Sequence, residues 1–476
     1  MIQKSITLMM TLFTLLGYSQ NSTTKFNIND YSLRDYIAPD IRFKRFELGT
    51  NINGSGSQQG DNNSINYGGN VRLGVDTYKN LTTYQGSSYT SFNIKYSGST
   101  SNKNTIFSPQ IFLGHTSVNR MYNSNDRFIG IHPGIQTSYN SSWSEQTSGS
   151  NVSTNKQRNQ EYNGSVILSV GTGRIQPVRA ARQAMDILIS LEKYNRLSKS
   201  PSNAQIDSLA KIANTIAYKR FYDSRFKRIY QLEELDKGID QLDLVDNRDM
   251  VYAANLSDIW NYGRTYARGS GTRYEIGVIP FADYNNNFSD DEIIKNENSQ
   301  TTYGLSGFAG WIKQTPLSYA WQSDFSVILS YDISTKNDEQ VSPNPSESEY
   351  KTNSQIIGTR WTLGYYPNTR TEVRFSPFIN LSAAKTNATQ NGNSTDSEYF
   401  GMATGVGFES YYYISPRFRL GIVAASSFIS DEYTDVHPGR RLIATNRSLN
   451  QSIPTNLSGE NYLQYSYQFT LTYAIL

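Results

Sequence analysis

The chain has 476 residues and no cysteine, which excludes a disulfide-stapled fold and any cysteine-held metal. Its formal net charge of +3 offers no basic field for nucleic acid. It holds 35 Tyr, 21 Phe and 34 Gly, yet no run after the first twenty residues approaches the ~18 apolar residues of a membrane-spanning helix.

The opening "MIQKSITLMMTLFTLLGYSQ" carries Lys4, then an apolar run from Ile6 to Leu16, then small residues at Gly17 and Ser19. That pattern predicts a secretory signal over 1–19, cut after Ser19. Residues 20–40 are then expected to form an N-terminal segment in the periplasm. With no cysteine to carry a lipid, the exported chain is not a lipoprotein.

From residue 41 onward the dominant signal is alternation. In the closing "NYLQYSYQFTLTYAIL", Tyr465, Tyr467, Phe469, Leu471, Tyr473 and Ile475 fall on one face, with Ser, Gln, Thr and Ala on the other. A strand sends successive side chains to opposite sides, so one face is greasy and the other wet. The same pattern predicts fourteen strands near 41–54, 64–79, 85–98, 104–116, 127–142, 158–173, 271–286, 300–313, 318–334, 350–366, 370–384, 397–412, 416–430 and 459–476. The expected fold is an all-β transmembrane antiparallel barrel, with its first half over 41–173 and its second over 269–476.

The links support that reading. Most of those at 55–63, 99–103, 143–157, 287–299, 335–349, 385–396 and 431–458 are long and polar, as external loops of such a barrel are. The alternate links, such as "KQTPLS" (313–318) and "YYPNT" (365–369), are short, carry proline and are flanked by aromatics. Pro109, Pro133, Pro280 and Pro377 fall inside strands, where bulges or strand ends are expected.

Residues 174–268 read differently. They contain 28 charged residues in 95, against 57 in the other 381. "PSNAQIDSLAKIANTIAY" places Ile206, Leu209, Ala213 and Ile216 at helical spacing behind a Ser202/Gln205 capping box. Further helical runs lie near 224–240 and 246–262. A periplasmic α-helical subdomain is expected, inserted between the sixth and seventh strands.

Taken with "LLGYSQN" at the signal junction and "YQFTLTYAIL" at the end, the chain resembles outer-membrane β-barrel proteins, in style those of the Bacteroidota. The resemblance implies a porin-like barrel in the outer membrane of a Gram-negative bacterium. Barrels of that kind commonly end in an aromatic residue, whereas this chain ends in Leu476. It is similar in strand count to transporters of the FadL type. Those have an N-terminal plug, for which about twenty residues are too short, and their transport is not carried over.

Among site candidates, "VILSVGTGRIQPVRAARQAMDIL" has the strand, Gly-x-Gly and helix of a dinucleotide fingerprint. A third glycine is replaced by Gln176, and another helix follows in place of a parallel strand. Gly171, Gly173, Arg174 and Pro177 are therefore read as a strand-to-helix junction, with Pro177 in the first turn of the helix. His115, Ser117 and Asn119 faintly resemble the residues of outer-membrane phospholipases, and Asp435 with His437 those of omptin-type proteases. A strand-end histidine and a polar loop are the plainer readings. "SDDE" (289–292) is read as a solvated acidic loop rather than a Ca²⁺ site. Arg360, Arg374, Glu409, Arg417 and Arg419 face the lumen, as do Glu372, Asp324, Arg72 and Asp76. They describe salt bridges within the wall or a mildly basic surface for an anionic solute. No catalytic residue, metal site or cofactor is assigned.

The chain is thus expected to be a non-enzymatic anchor or assembly subunit, embedded in outer-membrane lipid and engaging a protein partner through 174–268. The alternative is a pore for a small polar or anionic solute with the helices as plug or gate. Helices packed into the barrel mouth would favour the gate, and an exposed apolar stripe the partner.

Overall fold

The computed structural model describes residues 30–473, apart from 60–61, 103, 124, 149–150, 220–223, 263–267, 292–293, 343–344, 391, 416–417 and 430–461. The expected signal, Arg417, Asp435 and His437 lie outside the described residues.

The strands are β1 (Ile41–Gln59), β2 (Asn62–Leu81), β3 (Tyr84–Ser101), β4 (Asn104–Tyr122), β5 (Arg127–Ser148), β6 (Asn151–Thr172), a short β7 (Ile175–Pro177), β8 (Gly269–Asp290), β9 (Lys295–Pro316), β10 (Trp321–Ser342), β11 (Ser346–Tyr365), β12 (Thr371–Gln390), β13 (Asn393–Ser415), β14 (Phe418–Ile429) and β15 (Tyr462–Tyr473). Fourteen follow one another in chain order, each antiparallel to the next, with β7 paired beside them to β8. Four helices interrupt the sheet: α1 (Arg179–Lys193), α2 (Asn203–Tyr218), α3 (Ser224–Gln241) and α4 (Met250–Tyr262).

Alternation sorts the two faces of the wall. Ile129 and Ile131 of β5, Ile276 and Val278 of β8, Leu329, Tyr331 and Ile333 of β10, and Tyr465, Tyr467 and Phe469 of β15 are large, apolar and exposed. Their pair-wise partners in the ladders share that outward face. An apolar surface this continuous is stable only against lipid. On the inner face lie His132, Ser169, Glu372, Ser376 and Glu409, all buried.

A flat sheet of fourteen strands at about 4.8 Å spacing would be roughly 65 Å wide. The helices, at 13 to 18 residues, are only about 20–27 Å long. Yet Tyr218 of α2 meets Phe43 of β1 edge-on at 5.8 Å, while Tyr262 of α4 donates to the Ile414 carbonyl of β13. One small bundle touches both flanks of the sheet, so the sheet is curled into a cylinder.

Two expectations about the wall need correction. The strands run 18 to 23 residues over most of the barrel, about twice the 9–11 that cross a bilayer. The segments expected as long external loops are strand instead: β5 and β6 continue their ladder to Ser148↔Asn151, and β12 and β13 to Gln390↔Asn393. These far ends are polar on both faces, as with Thr335, Asn337 and Glu339 on one side of β10 and Lys336 and Asp338 on the other. A ladder needs only backbone groups, so it continues into water without an apolar face to announce it. The link at 431–458 lies outside the described residues.

The strand prolines cause neither bulge nor strand end. Each keeps one ladder and breaks the other: Pro377 pairs with Val406 of β13, while pairing to β11 lapses between Arg360↔Phe378 and Leu363↔Phe375. The register is the same on both sides of the gap. The same holds at Pro109, Pro133 and Pro280. A missing N–H costs one bond of a ladder, and the flanking bonds hold the strand in place.

The helices form a second core at one end of the barrel. Met185, Leu188, Ile206, Leu209, Leu235 and Ile239 have no exposure above 1%, where the spacing read for α2 places its apolar residues. Ser202 and Gln205 close the capping box that starts α2. Tyr31, Leu33 and Tyr36 are buried in the same core, so the N-terminal segment is part of this bundle. Tyr31 donates to Asp207 at 2.6 Å.

Candidate functional site at the barrel mouth

The junction from wall to bundle is built on close backbone approach. Gly173 has φ +86°, and a Cβ there would stand 2.1 Å from the Thr272 carbonyl oxygen. Only glycine fits. Beyond it, Ile175–Pro177 pairs with Gly271–Gly269. Pro177 therefore ends a short strand two residues before α1, rather than sitting in its first turn. Arg174 turns back to donate to the Thr82 and Leu81 carbonyls and to Asn80, at 2.9, 2.6 and 2.9 Å, with its guanidinium 4.9 Å over the Tyr122 ring. Because β6 runs antiparallel to β8, the parallel strand of a dinucleotide fold is absent from this junction.

The bundle is then held to the turns around the rim. Arg182 of α1 donates to the Tyr366 carbonyl at 2.8 Å and lies 4.3 Å over the Tyr319 ring. Asp186, one helical turn later, accepts from the Tyr319 hydroxyl. Arg268 donates to the carbonyls of Tyr319, Ser318 and Trp321 and to Gln322, at 2.5 to 3.1 Å. Arg370 makes both oxygens of Asp258 its acceptors at 2.9 and 3.2 Å. Arg34 donates to the Pro316 carbonyl at 2.9 Å. The 316–322 and 366–371 turns are thereby tied to the bundle, and the 81–84 turn to the junction beside it.

This network is dry. Arg182, Asp186 and Arg268 are each 4% exposed, so every charge must be met inside the protein. Burial pushes the Asp186 carboxyl above its ordinary range, against the opposing pull of Arg182 and Tyr319. Burial likewise lowers Arg268 to about 10, with Arg182 adding like-charge repulsion. Burial raises the Tyr319 hydroxyl, and Asp186 raises it further. None of these rim residues was singled out from the sequence. The available signal was Arg182, Gln183 and Asp186 within the apolar run of α1, which buries nearly its whole circumference over its first three turns.

The predicted lumen residues do not converge on one site. Arg374 lies between Glu372 and Glu409, at 2.8 and 2.9 Å. Its charge is more than offset, which corrects the reading of a basic wall at this point. Arg360 lies 5.9 Å over Phe378, and Arg419 packs over Tyr411 and Tyr413 at 4.7 and 5.8 Å. Arg72 donates to the Tyr89 hydroxyl, and Asp76 accepts from Arg45 at 3.2 Å. Asp324 accepts from Gln322 at 2.7 Å.

A second inward cluster gathers on β4 to β8. Glu275 accepts from Arg120 at 2.9 Å, from Ser169 at 2.7 Å and faces His132 Nε2 at 3.0 Å. The Asn119 backbone N–H donates to His132 Nδ1 at 2.8 Å. That bond fixes the proton on Nε2, where it is given to Glu275, so His132 has no lone pair to activate Ser169. Of the fainter candidates, His115 meets Thr90 at 2.7 Å, while Asn119 donates to Ser117 at 2.9 Å. His115 and Ser117 share the outward face but neither positions the other. In the 289–292 stretch, Asp290 lies 3.7 Å from Lys295, and Asp291 accepts from the Ile294 N–H.

No protein-family model and no curated protein matches the chain. Among solved structures, the translocator domain of autotransporter NalP from Neisseria meningitidis aligns with a TM-score of 0.27 and 9% identity, covering 80% of this chain and 91% of that one. The ferric yersiniabactin uptake receptor FyuA from Yersinia pestis aligns with a TM-score of 0.33 and 9% identity, covering 83% and 62%. At those scores the likeness carries no argument. The barrel rests on its own ladders and its outward apolar face.

Proposed function

We propose that this chain is a non-enzymatic anchor in the outer membrane, whose barrel holds a helical bundle at its periplasmic mouth for a protein partner. The carrying observation is the buried charge network of Arg182, Asp186 and Arg268 under the bundle. A gate has to leave the mouth and return. Separating buried, hydrogen-bonded charges costs about 3–5 kcal/mol for each partner stripped, and here two rim turns would have to let go together. Such a bundle is a fixture.

The far side of the bundle fits a partner. α4 reaches the rim at Tyr262, which places its other end roughly 18 Å away along the helix. There Met250 is 82% exposed and Val251 is 43% exposed. Apolar side chains left exposed at this end of the helix, while Tyr252 beside them enters the core, are suited to a contact with another protein. The test is native purification of the tagged full chain in mild detergent, with bound proteins identified by mass spectrometry. A stoichiometric companion that is lost from the double variant Met250→Asp, Val251→Asp is the expected result. A barrel that purifies alone under every condition would sink the anchor reading.

The pore reading keeps one observation in its favour, since the bundle lies across the mouth and would serve equally as a plug. Steady conductance by the wild-type chain would turn the choice to it.

A further inference from the structure

The outer face of the barrel carries a hollow that a convex wall does not ordinarily have. Gly307 and Ala309 are successive outward positions of β9, between Ile276 on β8 and Leu329 on β10. Two small residues in a row of large ones leave a trough. Two connected hollows of about 870 and 1060 Å³ run along it, sharing Ile129, Val170, Ile276, Ala309 and Leu329. On the inner side of the same wall, rings crowd the glycines of the neighbouring strand. A Cβ on Gly171 would meet the Phe128 ring at 2.3 Å, and one on Gly277 the Phe308 ring at 2.8 Å. Behind the trough, Ile167, Ile279 and Phe308 form a closed cluster, so the hollow has a solid floor.

Its lower end is cationic. Arg127, the first residue of β5, lines the hollow on one side, outward and exposed. Lys313 of β9, three strands away and two residues beyond Trp311, stands outward and exposed below the same rim. Among the described residues neither side chain is paired with a carboxylate; Asp126 adjoins Arg127 in sequence, and Glu275, also in the lining, turns to the lumen, where Arg120 and Ser169 hold it. Trp311 stacks on Tyr274 at 6.1 Å and meets Phe325 edge-on at 5.3 Å, the aromatic packing found where barrels meet headgroups.

We infer that this trough is a specific site for one acyl chain of an anionic glycerophospholipid, with its phosphate at Arg127. The surroundings of the trough are lipid, it is an open groove long enough to lie along an acyl chain, and one end carries the complementary charge. The site differs from the rest of the lipid-facing wall in being concave, apolar along its length and cationic at one end only.

The test uses the full chain in detergent, titrated with phosphatidylglycerol or phosphatidylcholine and read by native mass spectrometry. The expected result is one phosphatidylglycerol retained per chain, preferred about tenfold over phosphatidylcholine. Ala309→Phe fills the trough and should abolish retention of both lipids, with heat-modifiable gel migration checking that the barrel still folds. Arg127→Gln changes only an exposed rim residue and should remove most of the preference while leaving the acyl contact. Graded adducts that never saturate, equal retention of the two lipids, a second protein copy in place of lipid, or variants indistinguishable from wild type would each overturn the proposal. The anchor reading stands or falls separately.

Discussion

The barrel wall and the helical bundle bury charge in different ways, and the difference bears on which of them can move. In the wall, Arg374, Glu372 and Glu409 sit on adjacent strands whose ladders already fix their distance. Their pairing follows from the sheet and adds little to its form. At the rim, Arg182, Asp186 and Arg268 belong to the bundle or its exit, and their partners belong to the turns of the barrel. No ladder brings these groups together, apart from the short pairing of β7 with β8. The rim charges therefore determine how firmly one body is held to the other, whereas the wall charges are passengers of a sheet.

The largest expected effect breaks that contrast directly. Arg182→Ala should loosen the bundle by about 3–5 kcal/mol, because it strips the partner of a buried Asp186. The measurement is the denaturant midpoint of the helical circular dichroism signal, with gel migration following the barrel. Loss of both together would show that wall and bundle are one cooperative unit.

A matched pair of truncations sharpens the comparison. Leu209 is fully buried in the bundle, and Leu329 faces outward on β10. Leu209→Ala should cost about 3–4 kcal/mol, since a cavity adds to the lost transfer term. Leu329→Ala should cost nearer about 2 kcal/mol, because lipid closes over the gap and only the transfer term remains. Gly173→Ala, at the join, should cost about 2 kcal/mol through its left-handed backbone and the clash with the Thr272 carbonyl. Ser202→Ala, which removes the cap of α2, should cost about 1 kcal/mol. All are read from the same unfolding curves.

The smallest effect is one of pH. Asp186 has a raised folded pKa, so its stabilisation is complete below the ordinary value of 3.8 and fades as pH rises through the raised value. Asp249, held down chiefly by its hydrogen bond to Arg196, behaves oppositely. Its contribution is present above 3.8 and disappears as pH falls through the lowered value. Bringing the pH down toward 4 should therefore slow protease attack on residues 174–268, and Asp186→Asn should flatten that response.

Much of this was legible in the chain. Alternation marked the middle of each strand but the short β7, because lipid demands an apolar face there, and the inward parity of Arg360, Arg374, Glu409 and Arg419 followed from it. Helical spacing and the Ser202 cap marked α2. The polar strand ends were not legible, since a ladder in water leaves Thr335 and Asn337 free to look like loop. The rim was not legible either. Asp186 and Tyr319 are 133 residues apart, and nothing local in either stretch points to the other. Tyr31 and Tyr36 were overlooked for the same reason, as a short segment ahead of β1 gains its core only from a bundle far along the chain.

The most direct test of the fixed bundle is single-channel recording of the purified full chain in a planar bilayer. No steady conductance from wild type, with openings appearing in Arg182→Ala, is the expected result. Steady conductance from wild type, unchanged by that substitution, would contradict it.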